Sequence, residues 1–135
     1  MTLQVCIMTP DRIFWNEQAE EIILPTNTGQ MGVLTNHAPL ITALDVGVTL
    51  IRSKNEWIPV ALMGGFALVK QNQVTILVNE AESADTIKPE QAETAFEEAK
   101  ARLEQAADEK QRVEATFGFK RARARYQVVK QLIGA

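Results

Sequence analysis

Cysteine and histidine are nearly missing from this 135-residue chain, which has one of each, Cys6 and His37. A single cysteine excludes an internal disulfide, and one cysteine with one histidine cannot build the usual tetrahedral zinc sets. The helix carboxylates are dispersed, so no metal centre is expected. Phosphate loops are missing as well: neither Gly-x-x-x-x-Gly-Lys-Ser/Thr nor Gly-x-Gly-x-x-Gly occurs, and no cofactor is predicted. No nucleophile stands beside a recognisable base, which leaves a catalytic role without residues to carry it. Long apolar runs are lacking too. Ile58 to Val69 is the longest, is interrupted by Pro59 and Gly64-Gly65, and falls short of the ~20 residues a membrane span needs. The opening Met1-Thr2-Leu3-Gln4-Val5 has neither the basic start nor the continuous apolar stretch of a secretory signal. The chain is therefore expected to begin directly with structure and to stay on the side where it is made.

What is present is the composition of a globular protein, 46% hydrophobic and 23% charged, enough for one or two small domains with a real core. A net charge of -3 argues against a surface that binds nucleic acid throughout. Local charge is strongly uneven. From Glu80 to Glu109 ten acidic residues face three basic ones, whereas from Lys110 to Lys130 seven basic residues face a single Glu114.

Two periodicities divide the chain. Over about the first eighty residues, short apolar runs alternate with turn residues, the pattern of an antiparallel sandwich or barrel. Strands are predicted near 3–9, 13–19, 20–25, 30–34, 40–44, 47–52, 56–62, 65–70 and 74–79. Pro10-Asp11, Asn27-Thr28-Gly29, Asn36-His37-Ala38-Pro39, Asp45-Val46-Gly47, Ser53-Lys54-Asn55 and Gln71-Asn72-Gln73 are read as the reversals between them. Val74, Ile76 and Val78 alternate with Thr75, Leu77 and Asn79, so both faces of that strand are partly apolar. Cys6, alternating with Val5 and Ile7, is read as a small buried hydrophobe. Gly64-Gly65 is read as a tight bend or bulge between two strands.

Glu80 to Lys88 is polar, acidic and aperiodic, and reads as a linker. Pro89 supplies the φ favoured at a helix start, with Glu90 and Glu93 at the positive end of the helix dipole. Ala92, Ala95, Phe96, Ala99, Leu103 and Ala106 make one stripe on a helix running to about Ala107, supported by an i,i+4 pair of Glu98 with Arg102. After the polar stretch Asp108 to Gln111, Ala115, Phe119, Ala122, Tyr126, Val129 and Ile133 recur at heptad spacing. Two helices joined by a short polar turn make an antiparallel hairpin. Its apolar seam is thin, so low local stability and a dependence on docking are expected. The fold class is thus α+β: an antiparallel β-sandwich over residues 1–82, a linker over 83–88 and a two-helix hairpin over 89–135.

Lys120, Arg121, Arg123 and Arg125 spread around much of the second helix, because successive residues turn by about 100°. Three readings stand: an electrostatic contact with another chain, a solvated helix paired internally with the acidic first helix, or nucleic-acid binding. No aromatic platform or recognition motif accompanies the charges to favour the last. His37, in a loop beside Ala38-Pro39, reads as a structural or interface residue. Gly118 lies inside the second helix, where it costs roughly 1 kcal/mol relative to alanine, and is a candidate bend point.

Motifs spread over nearly the whole chain resemble the ATP synthase epsilon subunits. They are Leu3-Gln4-Val5 through Thr9-Pro10-Asp11-Arg12, Glu21-Ile22-Ile23-Leu24-Pro25-Thr26, Gly29-Gln30-Met31-Gly32-Val33-Leu34 leading into Asn36-His37-Ala38-Pro39, and Met63-Gly64-Gly65-Phe66. Thr26-Asn27-Thr28-Gly29-Gln30 resembles the photosynthetic branch, cyanobacterial and chloroplast. The resemblance implies a non-catalytic rotor subunit that couples the c-ring to the catalytic head. Its sandwich would be fixed to the gamma subunit and seated on the c-ring. Its hairpin would fold down or extend to the alpha and beta subunits to restrain ATP hydrolysis. By the same resemblance Thr28, Gly29, Gln30 and Met31 face the c-ring, His37 lies near the gamma contact, and Lys120, Arg121, Arg123 and Arg125 meet an acidic segment of the beta subunit. The resemblance further implies no nucleic-acid partner, and a membrane reached only through the complex, peripherally on the cytoplasmic or stromal side of the thylakoid. Two departures follow. Some bacterial relatives have a glutamate where Gln30 stands. Some also bind ATP through Ile/Leu-Asp-x-x-Arg-Ala, where this chain reads Ile87-Lys88-Pro89-Glu90-Gln91-Ala92. Without the arginine guanidinium, ATP binding is predicted to be weak or absent.

Overall fold

Alternation of apolar and polar residues builds the first part of the chain in the computed structural model, which describes residues 2–134, the side chains of 131–134 excepted. The Ile133 side chain of the predicted heptad stripe lies outside the described residues. Eight strands are described: β1 (Leu3–Thr9), β2 (Arg12–Ala19), β3 (Glu21–Thr26), β4 (Gly29–Val33), β5 (Leu40–Ser53), β6 (Glu56–Lys70), β7 (Gln73–Val78) and β8 (Ala81–Ser83). They form one sheet in the order β2-β1-β7-β6-β5-β3-β4, with β8 on the free part of β6. The pairing is antiparallel except between β1 and β7, which run parallel with Val5 beside Val74 and Ile7 beside Ile76. The β-sandwich is therefore mixed at that one seam.

Two predicted breaks are bends inside long strands. The segments expected at 40–44 and 47–52 are one strand, β5, and those at 56–62 and 65–70 are one strand, β6. Their register is constant from Leu40 beside Val69 to Ser53 beside Glu56, with no pair formed between Asp45 and Gly64. The bend changes which residues face inward. In β6, Val60 and Leu62 enter the sandwich core before the glycines, and Ala67 and Val69 after them. In β5, Leu44 points inward before Asp45, and Ile51 after it. Gly64 at φ 85° and Gly65 at φ 155° supply a backbone that other residues rarely adopt. The hairpin thereby folds across both layers, β3 pairing with one arm of β5 and β7 with the far arm of β6. The main core contains Leu3, Val5, Ile7, Ile22, Leu24, Val33, Ile51, Leu62, Val74 and Ile76 among others, and Thr49, buried beside it, donates a hydrogen bond of 2.7 Å to the Ile23 carbonyl.

Cys6 is not in that core. Leu3, Val5 and Ile7 are the inward residues of β1, so period two turns Cys6 to the outer face, half-buried beside Asn16 and Thr75. The polar stretch after Asn79 also has more structure than its aperiodic composition indicates: β8 pairs with β6 and a single 3-10 turn covers Ala84–Thr86.

Helix α1 spans Pro89–Glu104, with the proline at its start, and α2 spans Glu109–Gly134. Asp108 accepts a 2.8 Å bond from the Gln111 backbone amide and so caps α2. The helices pack against each other through Phe96, whose ring centroid lies 5.5 Å from Phe119 and 5.2 Å from Tyr126. The Glu98–Arg102 pair forms at 3.8 Å on an exposed face. A second buried cluster joins the hairpin to the outside of the sheet: Val46, Ala61 and Met63 from the strands, Ile87 before α1, Ala92 from α1, and Ala124, Val128 and Val129 from α2. The unbroken burial of β6 from Pro59 to Met63 follows, with Val60 and Leu62 in the sandwich and Ala61 and Met63 beneath the hairpin.

Candidate functional site

Helix α2 presents two buried lines where a heptad stripe predicts one. Ala122 and Val129, with half-buried Phe119 and Tyr126, belong to the predicted stripe, whereas Ala124 and Val128 face the sheet. The docked face carries small side chains, so the helix lies close to the strands, and its charged residues reach over the edges of the contact. Lys120 Nζ lies 3.2 Å from Asp45 Oδ2, Arg121 Nη2 donates at 2.9 Å to Glu80 Oε2, and Arg125 Nε donates at 3.1 Å to Glu82 Oε2. The acceptors are on β5, on the segment after β7 and on β8. None is on α1, so among the described residues the internal pairing read as a contact between two oppositely charged helices runs to the sandwich instead. Arg123 points elsewhere, its guanidinium 5.3 Å from the Phe119 ring centre. Arg123, Gln127 and Lys130 line one wall of a groove of about 510 Å³ whose other wall includes Pro25, Gly29, Gln30 and Gly47.

Thr28, Gly29 and Gln30 are exposed at the β3–β4 turn, and Met31 leans half-buried on the sandwich core. Gly29 has φ 125°, and the Thr26 hydroxyl closes the turn by donating to its carbonyl at 2.6 Å. A second groove, of about 570 Å³, is lined by Thr28, Gln30 and Met31 together with Thr42 and Ala43 of β5. His37 is half-buried in the loop between β4 and β5, its Nδ1 2.7 Å from the Ala38 carbonyl oxygen. The Asn36 amide donates at 2.6 Å to Asn72 Oδ1, pinning that loop to the β6–β7 turn. The structure thus brings the four cations together on one helix, sets Arg123 across a groove from Gly29 and Gln30 of the turn, and keeps His37 apart from both.

Sequence reasoning found one strand of an apolar outer surface, at Leu77, and missed its extent. Ala43, Phe66, Leu77, Met8 and Ile13 are successive cross-strand neighbours over β5, β6, β7, β1 and β2. At ~4.8 Å per strand this row is ~19 Å long. Phe66 and Leu77 are half or more exposed, Ile13 is 59% exposed, and Ile41 at 73% flanks the row beside Leu68. The alternation of Thr75, Leu77 and Asn79 held the signal, because an outer face with large apolar residues needs a cover, and the hairpin covers the other side of the sheet. Patches of this kind mark interaction sites. Among the described residues no cluster of metal-ligating groups occurs, and no helix is long and apolar enough to cross a membrane.

A bent mixed sandwich with one open apolar face and a docked helical pair has the anatomy of a protein that binds a partner through that face. Family models for the ATP synthase Delta/Epsilon chain match residues 2–84 as its beta-sandwich domain and 85–130 as its long alpha-helix domain, and the chain belongs to that family. Within it, the similarity is to the epsilon chains of chloroplasts. The chain is 85% identical over 132 residues to the chloroplastic ATP synthase epsilon chain of Chlorella vulgaris, covering 98% of both, and 70% identical over 129 residues to that of Tupiella akineta, covering 96% and 99%. A chain in the mitochondrial ATP synthase of Euglena gracilis, solved with its c-ring, superposes with a TM-score of 0.80 at 26% identity, over 91% of this chain and 78% of that one. This protein is an epsilon-type, non-catalytic subunit of a rotary ATP synthase.

Proposed function

We propose that the chain is a central-stalk rotor subunit whose sandwich anchors it and whose hairpin acts as a detachable brake on ATP hydrolysis. The anchor is residues 1–82, the linker 83–88 and the moving part 89–135. The apolar row from Ala43 to Ile13, flanked by Ile41 and Leu68, docks the gamma subunit, with the His37 loop at its margin. The turn Thr28, Gly29, Gln30 and Met31 meets the c-ring through polar and backbone contacts, since Gln30 carries no charge. Freed from the sandwich, Lys120, Arg121, Arg123 and Arg125 meet acidic residues of the beta subunit in the catalytic head of alpha and beta subunits. The chain reaches the thylakoid membrane only as a peripheral part of this complex.

One observation carries the brake: α2 docks on the sandwich through one limited apolar cluster and solvent-edged ion pairs, the pairs adding little to its hold. ATP hydrolysis by a gamma-containing head tests it, with the full chain or a version ending at Ser83. Inhibition by the full chain, with binding but no inhibition by the short one, is the expected result; equal inhibition assigns the effect to the sandwich. Nucleotide is not part of this mechanism. Lys88 and Gln91 are exposed, and Arg121 and Arg125, which line the cleft between the helices, are engaged by Glu80 and Glu82. A nucleotide titration is expected to show no tight, saturable binding.

A further inference from the structure

We propose that Asp45, Glu80 and Glu82 form an internal acidic decoy that occupies the α2 cations while the hairpin is docked, so that the sandwich and an acidic partner surface compete for the same side chains. This rests on the brake reading above and names what holds the brake off. Lys120, Arg121 and Arg125 lie within six residues on α2, and each has its own carboxylate on the sandwich side at 3.2, 2.9 and 3.1 Å. Glu80 and Glu82 flank Ala81 at the start of β8, and Asp45 lies across β6 from them at the bend of β5, so the sheet itself gathers the three carboxylates beside α2. Asp45 Oδ1 already accepts from the Val46 amide at 2.8 Å, and the Glu80 carbonyl accepts from the Met63 amide at 3.1 Å. Asp45 therefore keeps Oδ2 for Lys120, and Glu80, bonded to Met63 through its backbone, keeps its carboxylate for Arg121. Arg123 has no carboxylate partner among the described residues and sits over Phe119, so it is available to start an outside contact before the other three are released.

The decoy differs from the apolar docking in what it controls. Val46, Ala61, Met63, Ala124 and Val128 hold the hairpin down, but their exposure on release favours no particular partner. The carboxylates make release depend on an equally acidic competitor, which specifies the partner's charge. Each exchange replaces one ion pair by another, so the electrostatic part of the switching cost stays small.

The test is the full chain carrying Asp45→Asn, Glu80→Gln and Glu82→Gln. These changes keep the side-chain shapes, the Val46 amide's acceptor and all the α2 cations. Hydrogen exchange on the isolated chain is expected to speed up roughly tenfold for α1 and α2 amides and to stay unchanged for β1, β6 and β7, three exposed or half-exposed pairs each being worth a few-fold. The charge-swapped variant Glu80→Arg with Arg121→Glu is expected to regain most of the protection that Glu80→Arg alone loses. Unchanged helix exchange in the triple variant, or no recovery on swapping, overturns the decoy. In the gamma-containing head the triple variant is expected to inhibit hydrolysis more strongly than the native chain. Faster helix exchange with unaltered inhibition keeps the decoy and overturns the brake reading instead.

Discussion

Gly65 and Gly118 have opposite tolerances for one added methyl group. A Cβ at Gly65 would lie 2.0 Å from the Leu77 carbonyl oxygen and 2.8 Å from Val78 Cα. The obstacle is the backbone of the neighbouring strand, which cannot rotate aside as a side chain can. Its φ of 155° also disfavours an L side chain. Gly65→Ala is expected to lower global stability by about 2 kcal/mol or more, read from the denaturation midpoint at unchanged slope. At Gly118 an added Cβ meets nothing within 4 Å. Gly118→Ala should stabilise α2 by about 0.5–1 kcal/mol, read as slower exchange of its central amides with the sandwich amides unaffected. A loss of stability at Gly118 would show that the glycine is needed there. Both glycines stand out in the sequence, one between apolar runs and one inside a helical stripe. What separates them is the distance to another strand, which no local pattern contains.

At the scale of elements, the hairpin depends on Phe96. Its ring meets both Phe119 and Tyr126, and the rest of the α1 stripe is alanine apart from half-buried Leu103. Phe96→Ala is expected to cost the helical pair about 2–3 kcal/mol. Limited proteolysis should then cut in α1 and α2 while a sandwich fragment survives; cuts throughout the chain would mean that the two parts unfold as one. This thin seam was legible in the sequence, as were the start of α1 at Pro89 and most strands, because each rests on local spacing or a local backbone preference. Three features were not legible. The bend at Asp45 and Gly64 imitates a pair of turns, since it reverses the inward parity and so interrupts period two. The parallel seam of β1 with β7 joins residues about seventy positions apart and leaves no local mark. The Ala124 and Val128 line is hidden because alanine and valine beside four cations read as the flank of a charged face, until the sheet beneath them is known.

For the whole molecule, the sheet has two outer faces with different fates. The hairpin covers Ala61 and Met63, whereas Ile41, Phe66 and Leu77 stay open to solvent. Side chains this exposed contribute little to folding, so Ile41→Ser with Phe66→Ser should change stability by less than about 1 kcal/mol. If the row is the gamma contact, the same two changes remove anchors from its middle, and affinity for gamma should fall by about 2 kcal/mol, roughly 30-fold. Lys120→Ala with Arg123→Ala should do the reverse, leaving gamma affinity intact while weakening inhibition of hydrolysis in the assembled head. Binding titrations with gamma and hydrolysis rates on the same four proteins, native, folding control Gly118→Ala and the two double variants, separate the effects. Loss of both properties in both double variants would mean that anchor and brake share one surface. Loss of neither in the apolar variant would move the gamma contact off this face and towards the His37 loop or the β3–β4 turn. The proposed division of labour therefore rests on a measurable asymmetry: one face of the sandwich is buried by the chain itself, and the other is left exposed.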